Sequence, residues 1–517
     1  MTSRTVIPIA LLATVLALAH PIRASAQDVL SPVAEVANWR PWGAPATLAR
    51  DANVPGRDSL RLAPRGVPGD PWSSGAGLTL AAPLKVGEQV TAVFWARAER
   101  PMRMSVTIQG GAPNYASIVA SEVALTTAWR PYAITGTASA DLPAGSQSLT
   151  VQTGRAAAAV TLGPVAFMPG RPSPAAATRA FSGFQPTQVV EDVRIPSGPG
   201  VVLAGTLRTP TGHGPGPFPL AIMIQGHGPN GRGGFDVLMR RLLADGIATL
   251  DYDKRGIGAS TGVYKEDPER LTADAASVVA AMRGRKDING ARIALVGHSQ
   301  GGIIAPAAAA ADPTIAAVVM LAGSVGDGLP YLQRAIHSQL IAAGLPEAKA
   351  APAVAAVTKL LQARIDRANA ETIAPLRAAV VDQFEAAGFS PPQAQGALAM
   401  IDTEEAWNVN KLHSASDLHQ LRVPVLAVFG TKDPMVVAAE EAPAARAALA
   451  GNPNGKVVVL EGLSHWFKDG AKTGSAAEND TLGPNLGSPR LVTLTTDWLR
   501  DVLGPSPAAV QPATRSE

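Results

Sequence analysis

The stretch "RIALVGHSQGGIIAPAAAA", Arg292 to Ala310, is an apolar run that stops at Ser299, a serine boxed in by glycines. Small residues suited to a helix follow it. The pattern Gly-x-Ser-x-Gly, Gly297 to Gly301, fits a sharp strand-to-helix turn that exposes a serine hydroxyl in a strained conformation tolerated only by small neighbours. "RIALV" supplies the strand and "IIAPAAAA" the start of the helix, which Pro306 is expected to limit or bend. A serine hydroxyl is a weak nucleophile at neutral pH, so Ser299 needs a base, an acid and an oxyanion hole from elsewhere in the chain. Without them it is a serine in a tight turn.

Two later strand ends supply candidates in the chain order that this turn requires. "VPVLAVFGTKDP" delivers Asp433, and "KVVVLEGLSHWF" delivers His465. Taken singly, a turn aspartate before proline and a loop histidine are ordinary. On successive strand ends, in the order Ser, Asp, His, they make a set: His465 takes the Ser299 proton, and Asp433 orients the imidazole and stabilises its cation.

The surrounding pattern agrees. From Thr187 onward, "QVVEDVRIPS" and "VVLAGTLRTP" read as an antiparallel strand pair. "LAIMIQGHG", "IATLDYDKRG", "RIALVGHSQ", "IAAVVMLAG", "VPVLAVFGTKD" and "KVVVLEGLSH" then read as buried strands, most of them alternating with helical segments. That rhythm predicts a parallel sheet covered on both faces, with ligands bound at the carboxyl ends of its strands. Residues 327–421, rich in Ala, Leu and Gln, interrupt the rhythm and read as a helical cap insertion. The last helix is "PRLVTLTTDWLRDVL", and residues 506–517 read as a disordered tail.

Residues 28–170 have a different character: short alternating runs such as "QVTAVFWARAE", "RMSVTIQGG" and "SLTVQTG", separated by turn clusters, predict an all-β sandwich. The Pro/Ala/Ser-rich segment 171–186 reads as a linker. At the start, "MTSRTVIPIALLATVLALAHPIRASAQ" has a basic residue, Arg4, an apolar core from Val6 to Ala19 and a small-residue exit at Ala26. Residues 1–26 therefore read as a secretory signal peptide rather than a membrane anchor, implying a secreted or periplasmic bacterial protein with no membrane span after cleavage.

Composition narrows the classes. The 517 residues are 46% hydrophobic and 16% charged, enough for two or three domains with large cores. A formal net charge of +3 with scattered basic residues indicates no nucleic-acid surface. The absence of cysteine excludes a thiol nucleophile, thiolate metal sites and iron–sulfur clusters. The eight histidines include no His-x-x-x-His pair, so no metal is expected. "GPNGRGG" lacks the Lys-Ser/Thr of a phosphate-binding loop, and no cofactor is expected.

Residues 187–505 resemble an α/β-hydrolase of the prolyl-oligopeptidase and serine-aminopeptidase-like esterase branches. The motifs that carry the likeness are "LAGTLRTP", "FPLAIMIQGHGPNGRGG", "DGIATLDYDKRGIGASTG", "ALVGHSQGG", "VFGTKDPMV" and "GLSHWF". The resemblance implies an α/β-hydrolase fold with a cap and a Ser299–His465–Asp433 triad. It also implies an oxyanion hole formed by the backbone N–H of Gln300 and that of His227, which stands where related sequences often have serine. His298 is expected to pack beneath the nucleophile. The cluster Asp251, Asp253, Lys254 and Arg255 is expected to form a turn held by internal ion pairs, rather than an anion site. Trp407, Trp466 and Tyr331 are candidate pocket walls, with core packing as the competing role.

The first domain is similar to jelly-roll carbohydrate-binding modules in "VTAVFWARAE", "LTTAWRPYAITGTA" and "VTLGPVAFMPG". Gly163 and Pro164 stand where such modules commonly have an acidic or amide residue. Trp42, Trp72 and Tyr115 are loop candidates for a weak carbohydrate contact; Trp95 and Trp129 are expected in the core. A sandwich that only packs against the second domain stays open as its role.

The leading expectation is a serine carboxylic-ester hydrolase acting on a small-molecule or sugar-linked ester. Two alternatives remain. One is an aminopeptidase or acylaminoacyl-peptidase-type enzyme, for which Glu404 and Glu405 of the cap would grip a peptide amine. The other is a carbohydrate-binding protein fused to an inactive hydrolase scaffold.

Overall fold

Strand alternation between residues 40 and 169 resolves into two five-stranded antiparallel sheets in the computed structural model. The described residues are 29–64, 69–111, 115–326, 328–403 and 413–504. The chain separates into two units, Met1–Pro186 and Thr187–Glu517.

In the first unit one sheet runs Arg40–Trp42, Gly75–Leu80, Gln147–Gln152, Met102–Gly110, Ser117–Leu125 in spatial order. The other runs Ala46–Arg50, Asp58–Leu62, Val160–Pro169, Gln89–Ala98, Arg130–Thr137. Leu78, Val106 and Leu149 of the first and Leu60, Phe94 and Phe167 of the second share one core, which makes a β-sandwich. Gly163 and Pro164 sit at a register break in the strand Val160–Pro169, between Leu162 and Val165. A Cβ on Gly163 would lie 2.7 Å from the Val54 side chain and 2.8 Å from that of Trp95. The Gly163 carbonyl accepts the Trp39 indole N–H at 2.9 Å. The position is filled by packing.

The segment expected as a linker is not extended chain. Ser173 caps a helix, Pro174–Arg179, by accepting from the Ala176 N–H. Ala177, Ala180 and Phe181 then pack on Val93, Ala166 and Met168 of the second sheet. Proline at the first helical position and small apolar residues on one side gave this piece a fold, where composition alone suggested a spacer.

In the second unit the strands are β1 (Gln188–Pro196), β2 (Val202–Pro210), β3 (Phe218–Ile224), β4 (Ala248–Tyr252), β5 (Ile288–His298), β6 (Ala317–Leu321), β7 (Val425–Lys432) and β8 (Gly455–Ser464). Their spatial order is β1-β2-β4-β3-β5-β6-β7-β8. β1 and β2 are antiparallel, β2 meets β4 antiparallel, and the remaining pairs are parallel. β3, β4 and β6 are buried throughout, as expected of strands covered on both faces. The helices around the sheet are α1 (Asp236–Ala244), α2 (Pro268–Arg283) and α3 (Gly301–Ala311), which continues through Pro306. The chain order reverses at β3 and β5, so the open crevice lies at their carboxyl ends.

After β6, among the described residues, come the cap helices α4 (Gly328–Ala342), α5 (Glu347–Ile365), α6 (Ala370–Ala387) and α7 (Pro391–Ile401). They enclose a core of their own from Val357, Leu360, Leu361, Val380 and Phe384. α8 (Ser414–Gln420), which fell inside the expected cap, does not share that core. Its Leu418, with Leu421 just beyond, joins the core of the main sheet. α9 (Ala438–Ala448) and α10 (Pro489–Leu503) complete the covering helices. Among the described residues no helix is long and apolar enough to cross a membrane.

Candidate active site

Ser299 stands between the last residue of β5 and the first of α3, with φ of 56°. Positive φ is costly for a residue with a side chain and persists only where neighbours impose it. Here the imposition is visible. The Ser299 N–H donates to the Leu321 carbonyl at 2.8 Å, tying the turn to β6. A Cβ on Gly297 would lie 1.9 Å from the Gly301 carbonyl oxygen, and one on Gly301 would lie 2.0 Å from that of Ile224. Only glycine lets β3, β5 and α3 approach this closely. The Ser299 residue itself stays partly exposed.

His465 follows β8 and Asp433 follows β7, and both are buried. The His465 Nδ1–H donates to Asp433 Oδ2 at 2.8 Å. Asp433 Oδ1 accepts the backbone N–H groups of Met435 at 2.8 Å and Val436 at 2.9 Å, which fixes the carboxylate. The Nε2 of His465 is thereby left as the free base position of the ring.

His298 lies against this pair, its ring centroid 4.9 Å from that of His465. Its Nε2 is 2.8 Å from the His465 carbonyl oxygen. A carbonyl can only accept, so the proton of neutral His298 sits on Nε2. Burial, and after it the neighbouring His465, pull the His298 pKa down to about 3. It is a neutral packing group that ties the nucleophile turn to the histidine loop, as expected.

The turn after β3 faces Ser299: a Cβ on Gly226 would lie 3.2 Å from the Ser299 Cβ. His227 and Gln300, the expected oxyanion donors, flank this contact. Among the described residues neither backbone N–H donates to a protein acceptor. The His227 side chain is 65% exposed, so its backbone is the part held at the site.

The charged run at the end of β4 pairs with residues of neighbouring elements rather than within itself. Asp251 binds Arg208 at 2.7 Å, Asp253 binds Arg232, and Asp274 binds Arg255 at 2.6 Å. Lys254 departs from a purely remote structural role: its ammonium reaches the β3 turn and Gln300. Glu266, which closes this network, was missed from sequence because it directly precedes the N-cap Asp267 of α2 and reads as helix-start acid. Glu441 was missed likewise. It is buried on α9 and accepts the Val325 and Gly326 N–H groups at 2.6 and 3.0 Å, anchoring the chain as it enters the cap.

Trp466 packs edge-on against His465, with ring centroids 5.2 Å apart. Tyr331 of α4 packs on Ile303 of α3; burial, then the charges of Asp433 and Glu441, push its hydroxyl well above the usual tyrosine range. Trp407, Glu404 and Glu405 lie outside the described residues. Cavities of about 350 and 310 Å³ open beside Asp433, bordered by Thr431 and Val437. Their walls do not include Ser299.

The strand order, the turn at Ser299 and the cap after β6 define the α/β-hydrolase fold. Residues 213–467 match the model of the Alpha/beta hydrolase family. Over 282 residues the chain is 26% identical to Esterase EstD of Thermotoga maritima, covering 52% of this chain. It spans 58% of the length of that curated relative. Among solved structures, the esterase Pf2001 of Pyrococcus furiosus aligns at 15% identity over 62% of this chain and 92% of that one, with a TM-score of 0.39. Est1E of Butyrivibrio proteoclasticus, solved with ferulic acid, aligns at 19% identity over 60% and 96%, with a TM-score of 0.35.

Proposed function

We propose that this protein is an exported serine carboxylic-ester hydrolase working through Ser299, His465 and Asp433. One observation carries the reading: the buried 2.8 Å His465–Asp433 hydrogen bond on consecutive strand ends, in a chain whose β5 is followed by a serine at positive φ. Asp433 holds the proton on Nδ1, so Nε2 accepts the Ser299 proton as Oγ attacks the ester carbonyl. The C=O electron pair moves onto oxygen, which the N–H groups of His227 and Gln300 stabilise. Collapse expels the alcohol, which takes the proton from His465. Water, deprotonated by the same base, then cleaves the acyl-enzyme and regenerates Ser299.

The substrate class is a small-molecule or sugar-linked ester entering under the cap, with Tyr331 and Trp466 as apolar walls near the triad. The sandwich is read as a jelly-roll module; Trp72, 63% exposed, and Tyr115, 58% exposed, offer flat faces for a weak sugar contact. Trp42 is tied to the loop backbone by its indole N–H on the Trp72 carbonyl at 2.9 Å, which supports Trp72 in place. Export is supported by the reading of residues 1–26 as a signal peptide.

The test is turnover of short p-nitrophenyl esters by the wild type and by Ser299→Ala, with fluorophosphonate labelling of both. Turnover and labelling confined to the wild type are expected. Retained turnover in Ser299→Ala, or a wild type that neither labels nor hydrolyses any ester, overturns the assignment.

A further inference from the structure

The Lys254 ammonium is enclosed beside the turn that faces Ser299. Its side chain is 4% exposed, and that of its counter-ion Glu266 is 3% exposed. Its three N–H donors have three acceptors: the Gly226 carbonyl at 2.7 Å, Gln300 Oε1 at 3.1 Å and Glu266 Oε1 at 3.2 Å. The first is the informative one. The Gly226 carbonyl and the His227 N–H belong to the same peptide group, so the ammonium sits on the acceptor end of the amide whose donor end is the proposed oxyanion donor.

Glu266 extends the clasp to the next peptide. Its Oε2 accepts the Gly228 N–H at 2.9 Å and the Tyr264 hydroxyl. Asn230 Nδ2 donates to the Gly226 and His227 carbonyls at 3.1 and 2.7 Å. The peptides before and after His227 are therefore both pinned, one by a cation and one by the carboxylate paired with it. Burial pulls the Lys254 pKa down, and the adjacent Glu266 carboxylate offsets part of that fall.

A cation on a carbonyl withdraws electron density through the amide and strengthens the hydrogen bond its N–H can donate. The same contacts fix the plane of the peptide before the reaction begins, which spares reorganisation as charge develops. We infer that Lys254 is a positioning residue for oxyanion stabilisation, polarising and orienting the Gly226–His227 peptide while holding Gln300. The inference rests on Ser299 being the nucleophile. It gives Lys254 and Glu266 a role beyond holding their turn together.

Two variants test it. Lys254→Met removes the ammonium but strands a buried carboxylate, a change that destabilises folded chains. Lys254→Met/Glu266→Gln removes the ammonium and the orphan charge together, while the amide oxygen introduced in place of the carboxylate can still accept the Gly228 N–H. Circular dichroism establishes that the double variant is folded, and it carries the test if the single one is not. Losing a whole oxyanion donor costs about 100- to 1,000-fold in kcat; weakening one costs about 10- to 100-fold. The double variant is expected to lose about that factor in kcat, with KM changed less than about threefold. Affinity for a trifluoromethyl ketone, whose serine adduct places an oxyanion in the hole, is expected to fall by the same factor. A structural role alone would not move that affinity in step with kcat.

A folded double variant with kcat within about threefold of wild type overturns the inference. So does a loss of kcat with unchanged ketone affinity. A wild type inactive on every ester instead brings down the esterase reading. The two failures are therefore distinct.

Discussion

Replacing Asp433 by asparagine tests how the triad is held. Asp433 Oδ1 accepts two backbone N–H groups, from Met435 and Val436, and Oδ2 accepts the His465 Nδ1–H at 2.8 Å. An asparagine has one oxygen, and the two backbone donors claim it. Its NH₂ group then faces His465 Nδ1, which must become the acceptor. The ring proton moves to Nε2, the atom that has to receive the Ser299 proton. The wrong tautomer costs about 10⁴-fold in kcat, equivalent to about 5.5 kcal/mol of transition-state stabilisation. KM should stay within about threefold, because the lost interaction acts on the chemical step. The loop keeps both backbone hydrogen bonds, so the melting temperature should change little. The assay is initial-rate hydrolysis of p-nitrophenyl butyrate at about pH 7.5, where the neutral imidazole base is populated, with a thermal melt on the same preparation. A folded Asp433→Asn enzyme within about tenfold of the wild-type kcat would refute the tautomer argument and the role of Asp433 with it.

Three further outcomes follow from the same geometry. Gly297→Ala drives a methyl to 1.9 Å from the Gly301 carbonyl oxygen. Strand and helix must separate there, and a loss of about 3–5 kcal/mol in urea unfolding is expected, with a rise in midpoint contradicting the close approach. The His298 pKa of about 3 lies below its unfolded value of 6.5, so the folded chain binds fewer protons there. Its contribution is present in full above about pH 6.5 and is lost as pH falls toward 3, up to about 4–5 kcal/mol. His298→Phe should therefore show a flatter loss of stability between about pH 6.5 and about pH 4 in urea melts, and parallel profiles would count against a buried neutral imidazole. Glu441→Leu leaves the Val325 and Gly326 N–H groups without their acceptor. A loss of about 2–4 kcal/mol is expected, with limited proteolysis falling first in residues 328–401; an unchanged digestion pattern would show that the cap is anchored elsewhere.

Much of the second unit was legible along the chain. Its central strands carry their own signature, a buried apolar run ended by turn residues, and such signatures survive folding because they reflect what the element itself must bury. The strained serine between β5 and α3 was legible for a related reason. A nucleophile at positive φ between strand and helix requires glycines at fixed local spacing, and Gly297 and Gly301 are short-range demands written into five residues. The order Ser, Asp, His was readable because each residue ends a recognisable strand.

Other features had no local mark. The segment 171–186 has a spacer's composition, yet Phe181 and two alanines find a hydrophobic seat on a sheet formed far upstream. Leu418, within the span read as cap, packs on the main sheet, a choice between two cores that composition does not register. Gly163 gave no hint that it receives the Trp39 indole across 124 residues of chain.

Sequence alone thus determined the main elements, their order and the candidate site residues at the strand ends, since periodicity and turn chemistry act over a few residues. Only tertiary structure decided which carbonyl Lys254 binds and which amide Glu266 holds. Those contacts join β4, the β3 turn, the start of α2 and the start of α3. A buried ammonium takes whichever acceptors the assembled fold leaves within reach, and no local pattern encodes that meeting.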